Sequence, residues 1–201
     1  IKAGSVVSKT KNEKLDATVL KLSNGATVTY KKTDFKNDEI LFEAVSFGGS
    51  NLFSNEDNAK VSLAMGGITE AGFSGMSKND INKFMTGKIA RVNPFVGGTS
   101  EGFRGSTTPK DMEYLMQMVH AYFTDLNYDV EAFEAFKQKQ NSMYANMTSQ
   151  PNFYFSQEFY THLNQGNPRF LGLVPLEKEW AYTDYKLAYE KYKERFANAG
   201  D

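Results

Sequence analysis

The 201-residue chain has no cysteine, two histidines, one tryptophan and five prolines. Without cysteine there are no disulfide frameworks, no thiolate zinc or iron–sulfur sites and no cysteine nucleophiles. The compartment stays open, because disulfide-free proteins occur in the cytosol and in bacterial envelopes alike. Neither sign of charge prevails: 23 Lys and Arg face 24 Asp and Glu, for a net charge of -1. Such a balance provides no electrostatic footprint for nucleic acid or an anionic membrane surface. No apolar run approaches the roughly 18 residues that a membrane-spanning helix needs. The chain begins at Ile1 without a basic and then apolar leader, and so reads as a processed product or an excised piece of something larger.

Several nucleophile and phosphate motifs are missing as well. There is no Gly-x-Ser-x-Gly elbow, no Ser-x-x-Lys with its companion boxes and no Walker-type phosphate loop. Neither His120 nor His162 has a histidine or carboxylate three or four residues after it; the nearest acid to His162 is Glu158, four residues before it, and a lone Glu-x-x-x-His is a weak ligand pair that a structural role outweighs. The glycine-rich pieces GGITEAGFSG and GGTSEGFRG read either as anion-binding nests or as turns, with turns favoured. Tyr182, Tyr185, Tyr189 and Tyr192, at helical spacing, read as core and rim rather than a stacking platform.

What is present is a 40% apolar and 14% aromatic sequence, enough to bury one core. Residues 1–15 are polar and lysine-rich and read as a linker or extended lead-in, with order beginning near Asp16. DATVLKL and ATVTYKK flank Ser23-Asn24-Gly25, a strong hairpin signal. A third strand over 39–47 extends this into an expected β-meander. Helical spacing follows over 55–70, weakened by Gly66 and Gly67, and over 77–86. Strands over 89–96 and 99–106 meet at Gly97-Gly98. Helices are expected over 109–124, 130–148 and 152–164, and from about 183 to the Gly200 stop. Strands early and long helices late predict one α+β domain over 16–201, a largely antiparallel sheet with long helices packed on one face.

The strings LSNGATVTYKKTDFKNDEILFEAVSFGGS, SEGFRGSTTPKDMEYLMQMVHAYFTDLNYDVEAFEAFK and YKERFANAGD resemble the pitrilysin/insulinase class of zinc metallopeptidases, and more narrowly the C-terminal half of its long bacterial members. The resemblance implies the metallopeptidase-like half fold shared with mitochondrial processing peptidase. It also implies an inverted zinc motif, His-x-x-Glu-His, on the helix after the third strand. Ungapped alignment puts the three functional positions on Ser62, Met65 and Gly66, and the later glutamate ligand near Met143. None of the four is a zinc ligand of the family, and no Asp or Glu lies between Glu134 and Glu158 to take over.

The expectation is therefore a domain with no catalytic residue, no metal and no cofactor of its own. Zinc is expected in a catalytic half of the same polypeptide, opposite which this domain helps enclose and position unfolded peptide. By resemblance, peptide is held there by β-augmentation. The resemblance also implies a periplasmic or cell-envelope location and a missing last strand, leaving an open sheet edge prone to self-association. Two other readings remain: a non-enzymatic binding or scaffold module of the same fold, and an independent hydrolase built on two converging acids.

Overall fold

A computed structural model describes residues 4–200. Its strands are β1 (Val6–Asn12), β2 (Ala17–Leu22), β3 (Thr27–Tyr30), β4 (Ile40–Phe47), β5 (Ala90–Val96) and β6 (Ser100–Thr107). Its helices are α1 (Asn55–Met65), α2 (Lys78–Phe84), α3 (Met112–Thr124), α4 (Val130–Thr148), α5 (Pro151–Leu163), α6 (Glu177–Ala181) and α7 (Tyr185–Arg195). The expected α+β class holds, and every strand pairing is antiparallel.

The strands form two sheets rather than one, in the orders β1-β2-β3 and β4-β6-β5. The expected meander therefore breaks after β3. Residues 31–39 are too long a link for a tight hairpin, which normally uses two to about five residues, and β4 pairs instead with β6 beyond two helices. The lead-in is a second difference: residues 6–12 are extended and pair with β2, so regular structure starts well before Asp16. All seven β1 residues are exposed. Hydrophobic periodicity misses such a strand because backbone pairing alone forms it.

Local chemistry sets the remaining boundaries. The turn at Ser23-Asn24-Gly25 closes β2–β3 through Leu22 N–H to the Ala26 carbonyl, with Gly25 at φ 95°. Ser54 caps α1 by accepting from Asp57 N–H at 3.0 Å, and Ser77 caps α2 by accepting from Asp80 N–H at 3.2 Å. Gly66 ends α1, so the helix expected to reach residue 70 stops five residues earlier. Asp129 and Asp184 cap α4 and α7 in the same way. The short α6 has no periodic signature and lies outside the expected helices.

Period two places Ala90, Val92, Phe103 and Thr107 on the inner face of the β4-β6-β5 sheet, where all four are buried. α3 covers that face with Leu115, Met118, Ala121 and Tyr122, and α1 packs on α7 at its side. Phe103 lies at the centre, its ring 5.1 Å from both Phe123 and Phe196. Among the described residues no helix is long and apolar enough to cross a membrane.

Candidate functional site

The last turn of α1 carries Ser62 and Met65, both half-buried, with Gly66 as its C-cap. Gly67 follows, buried, and a β-carbon there would come 3.1 Å from Phe133 and press still harder on Phe136. Both phenylalanines belong to α4. Phe133 stacks on Tyr185 at 4.3 Å and Phe136 meets Trp180 edge-on at 5.8 Å. The junction of α1, α4, α6 and α7 is thus filled by aromatic rings. An unscreened dication in such surroundings would carry a desolvation cost of many kcal/mol.

The fourth position, Met143, lies seven residues beyond Phe136, about 10 Å along the α4 axis, and is 46% exposed. The structure brings Ser62, Met65 and Gly66 together at one helix end and leaves Met143 on the open surface of another. A hydroxyl, two thioethers and a glycine do not make a set of ligands for zinc, which takes imidazole, thiolate and carboxylate. Among the described residues no group of three His, Asp or Glu side chains converges. His120 is exposed on α3, 3.3 Å from the Thr124 hydroxyl, and His162 is exposed on the last turn of α5.

The first glycine-rich piece is a run of turns after α1, and the second is a turn at Gly97-Gly98 that leads into β6. Gly75 N–H donates to Asn127 Oδ1 at 3.0 Å, while Asn127 Nδ2 donates to the carbonyls of Ala71 and Met76, holding the 71–76 loop. Gly97 N–H donates to the Ser100 carbonyl at 2.8 Å, and outside both pieces Gly49 N–H donates to Glu101. The four tyrosines divide as core and rim: Tyr185 and Tyr192 are buried, Tyr189 is half-buried and Tyr182 is exposed. Burial pushes the Tyr122 phenol up to about 12 and raises those of Tyr185, Tyr189 and Tyr192.

Sequence reasoning missed a groove of about 440 Å³ between α2 and the free edge of β5. Phe73, Ile81, Met85, Val92, Met118 and Tyr122 line its apolar part, and Lys78, Lys88 and Arg91 line its charged part. No Asp or Glu contributes to its walls. Lys78 pairs with Glu70, whereas Lys88 lies over the Phe84 and Tyr114 rings. The missing signal was topological, since the groove exists only because β5 pairs with β6 alone.

No family model matches the chain. It is 26% identical over 98 residues to the probable zinc protease PqqL of Haemophilus influenzae, and 37% identical over 73 residues to a zinc protease PQQL-like of Arabidopsis thaliana. Those stretches cover 49% and 36% of this chain but only 11% and 7% of the relatives, so the chain corresponds to a small part of their length. The fold matches the crystal structure of the periplasmic protease PqqL from Escherichia coli with a TM-score of 0.74 at 20% identity, covering 100% of this chain and 22% of that one. It also matches a mutant of the ferredoxin protease FusC in complex with Arabidopsis ferredoxin, with a TM-score of 0.74 at 14% identity, covering 98% and 22%.

Proposed function

We propose that this chain, a fragment of the pitrilysin/insulinase family of zinc proteases, is a non-catalytic domain that helps enclose and position unfolded peptide opposite a catalytic half. What supports the proposal is the side-chain set at the end of α1: Ser62, Met65 and Gly66, to which the resemblance assigns the motif's two imidazoles and base, carry none of those groups. An aromatic junction built from Phe133, Phe136 and Trp180 lies beside them. The coverage supports it, because a segment matching 22% of a larger protease leaves room for a catalytic half in the same polypeptide. Zinc then belongs to that half. The periplasmic location of the Escherichia coli protease supports placing the parent protein in the periplasm or cell envelope.

The domain's own residues do no bond chemistry in this account. They present a rigid wall: Glu101, Arg195 and Gly49 tie β6, α7 and the loop after β4 together. Arg169 ties a distant loop to the start of α1, donating to Asn55 Oδ1 at 2.9 Å and to the carbonyls of Ser50 and Phe53. The test is a peptide-cleavage assay on the parent protein with and without this domain. Loss of cleavage of long unfolded peptides, with short ones still cut, supports enclosure; unchanged cleavage of both contradicts it.

A further inference from the structure

We propose that the groove between α2 and β5 is a binding site for an amphipathic carboxylate, an alkyl chain ending in one acid group, with Lys88 holding the acid. The inference goes beyond the enclosure reading and does not depend on it.

α2 bridges this space without filling it. None of its seven residues is buried, and the chain enters and leaves it through left-handed positions, Gly72, Ser74 and Gly75 before it and Gly87 after. A second cavity of about 180 Å³ adjoins the groove, and Phe73, Ile81, Met85 and Met118 line both. Together they make one apolar trough within the size range of small-molecule sites, roughly 300–1,000 Å³. Its floor belongs to the core, with Phe73 6% and Met118 9% exposed. The unbranched, polarisable Met85 and Met118 side chains adapt readily to a flexible alkyl chain. Ala90 and Val92, the β5 residues in the wall, are buried, so recognition falls to side chains rather than to the backbone of β5.

Charge selects the head group. The ionisable side chains lining the groove are Lys78, Lys88, Arg91 and Tyr122, and no Asp or Glu lines either cavity. Lys78 is taken by Glu70. Lys88 is half-buried, and its ammonium lies 4.4 Å and 4.9 Å from the ring centroids of Phe84 and Tyr114, which line the second cavity. It donates to the Phe84 carbonyl and pairs with no acid among the described residues, so it stands beside both cavities with donors to spare. Arg91 is exposed, and period two places it on the opposite face of β5 from Val92, so it adds long-range field rather than contact. Tyr122 is 8% exposed, and nothing among the described residues bonds its hydroxyl; the bond from Tyr192 goes to its backbone carbonyl. A free ammonium, a free phenol donor and apolar walls fit an anionic head on an alkyl tail and disfavour a cationic one.

The test is isothermal titration calorimetry of the whole chain with hexanoate, octanoate, decanoate, decanol and decylammonium, all below micelle-forming concentrations. Affinity is expected to rise about tenfold for each pair of methylenes along the carboxylate series. Decanoate is expected to bind about tenfold more tightly than decanol, with decylammonium weakest. Lys88→Met retains the packing on the two rings and is expected to bring decanoate down to the affinity of decanol. Ile81→Glu, which places a negative charge in the trough, is expected to abolish decanoate binding, and melting temperatures verify that both variants fold. Equal affinity for decanoate, decanol and decylammonium, or a decanoate preference that survives Lys88→Met, overturns the head-group assignment. Failure of all these compounds to bind overturns the site, as does saturable binding of a neutral leucine-rich peptide in their place. Enclosure is decided separately by the cleavage assay on the parent protein.

Discussion

Glu101 on β6 and Arg195 at the end of α7 form a buried ion pair, with Arg195 Nε 3.0 Å from Glu101 Oε1 and the glutamate side chain 2% exposed. The second carboxylate oxygen accepts from Gly49 N–H, so one side chain joins a strand, a helix end and a loop. Replacing Glu101 with Gln strands the guanidinium in the interior, and breaking a buried pair from one side typically costs about 3–5 kcal/mol. Urea unfolding of Glu101→Gln, Arg195→Met and the double variant is expected to show each single change near that range and the double well below their sum.

Gly49 itself cannot carry a side chain. Its φ is 61°, and a β-carbon would collide with the Gly97 carbonyl and lie 2.9 Å from the Gly98 carbonyl carbon. Gly49→Ala is expected to lower stability by about 1–3 kcal/mol or more. Gly98→Ala, where no atom lies within 4 Å, is the control and is expected to be far milder. Melting temperatures of the two variants check this.

Alkaline pH should unfold the protein through its tyrosines. The phenols of Tyr122, Tyr185, Tyr189 and Tyr192 are raised in the folded state, Tyr122 to about 12 by burial, so their neutral form is favoured by folding. That stabilisation is complete below the unfolded value near 10 and is lost as pH rises from there through about 12. Absorbance titration at alkaline pH is expected to show a late phase of tyrosine ionisation that coincides with loss of near-UV circular dichroism.

Much of the fold was legible in the sequence because its signals are local. Asn24-Gly25, the Ser77 cap, Thr108-Pro109 and the apolar stripe of α3 each act within a few residues, and each of these elements stands within about three residues of its expected place. Strand partnership was not legible, because β4 finds β6 across α1 and α2, and no local pattern encodes that choice. That Ser62, Met65, Gly66 and Met143 carry no imidazole or carboxylate could be read from residue types alone. The β5 groove could not, since it is made by an unpaired edge and by α2 lying across from it.

The β4 edge carries a prediction about association. Leu41, Val45 and Phe47 point outward and are 78%, 53% and 88% exposed, and β4 is paired on one side only among the described residues. Exposed apolar edges of this kind promote strand pairing between molecules. Sedimentation of the isolated chain is expected to show concentration-dependent self-association that Val45→Lys abolishes; a monomer at all concentrations would contradict the open-edge expectation.

The most direct test of the central claim is cleavage of an unfolded peptide by the isolated chain in the presence of zinc, with and without chelator, and again after mixing with the catalytic half. The account predicts no cleavage by the isolated chain and chelator-sensitive cleavage only in the mixture. Chelator-sensitive cleavage by the isolated chain would contradict it.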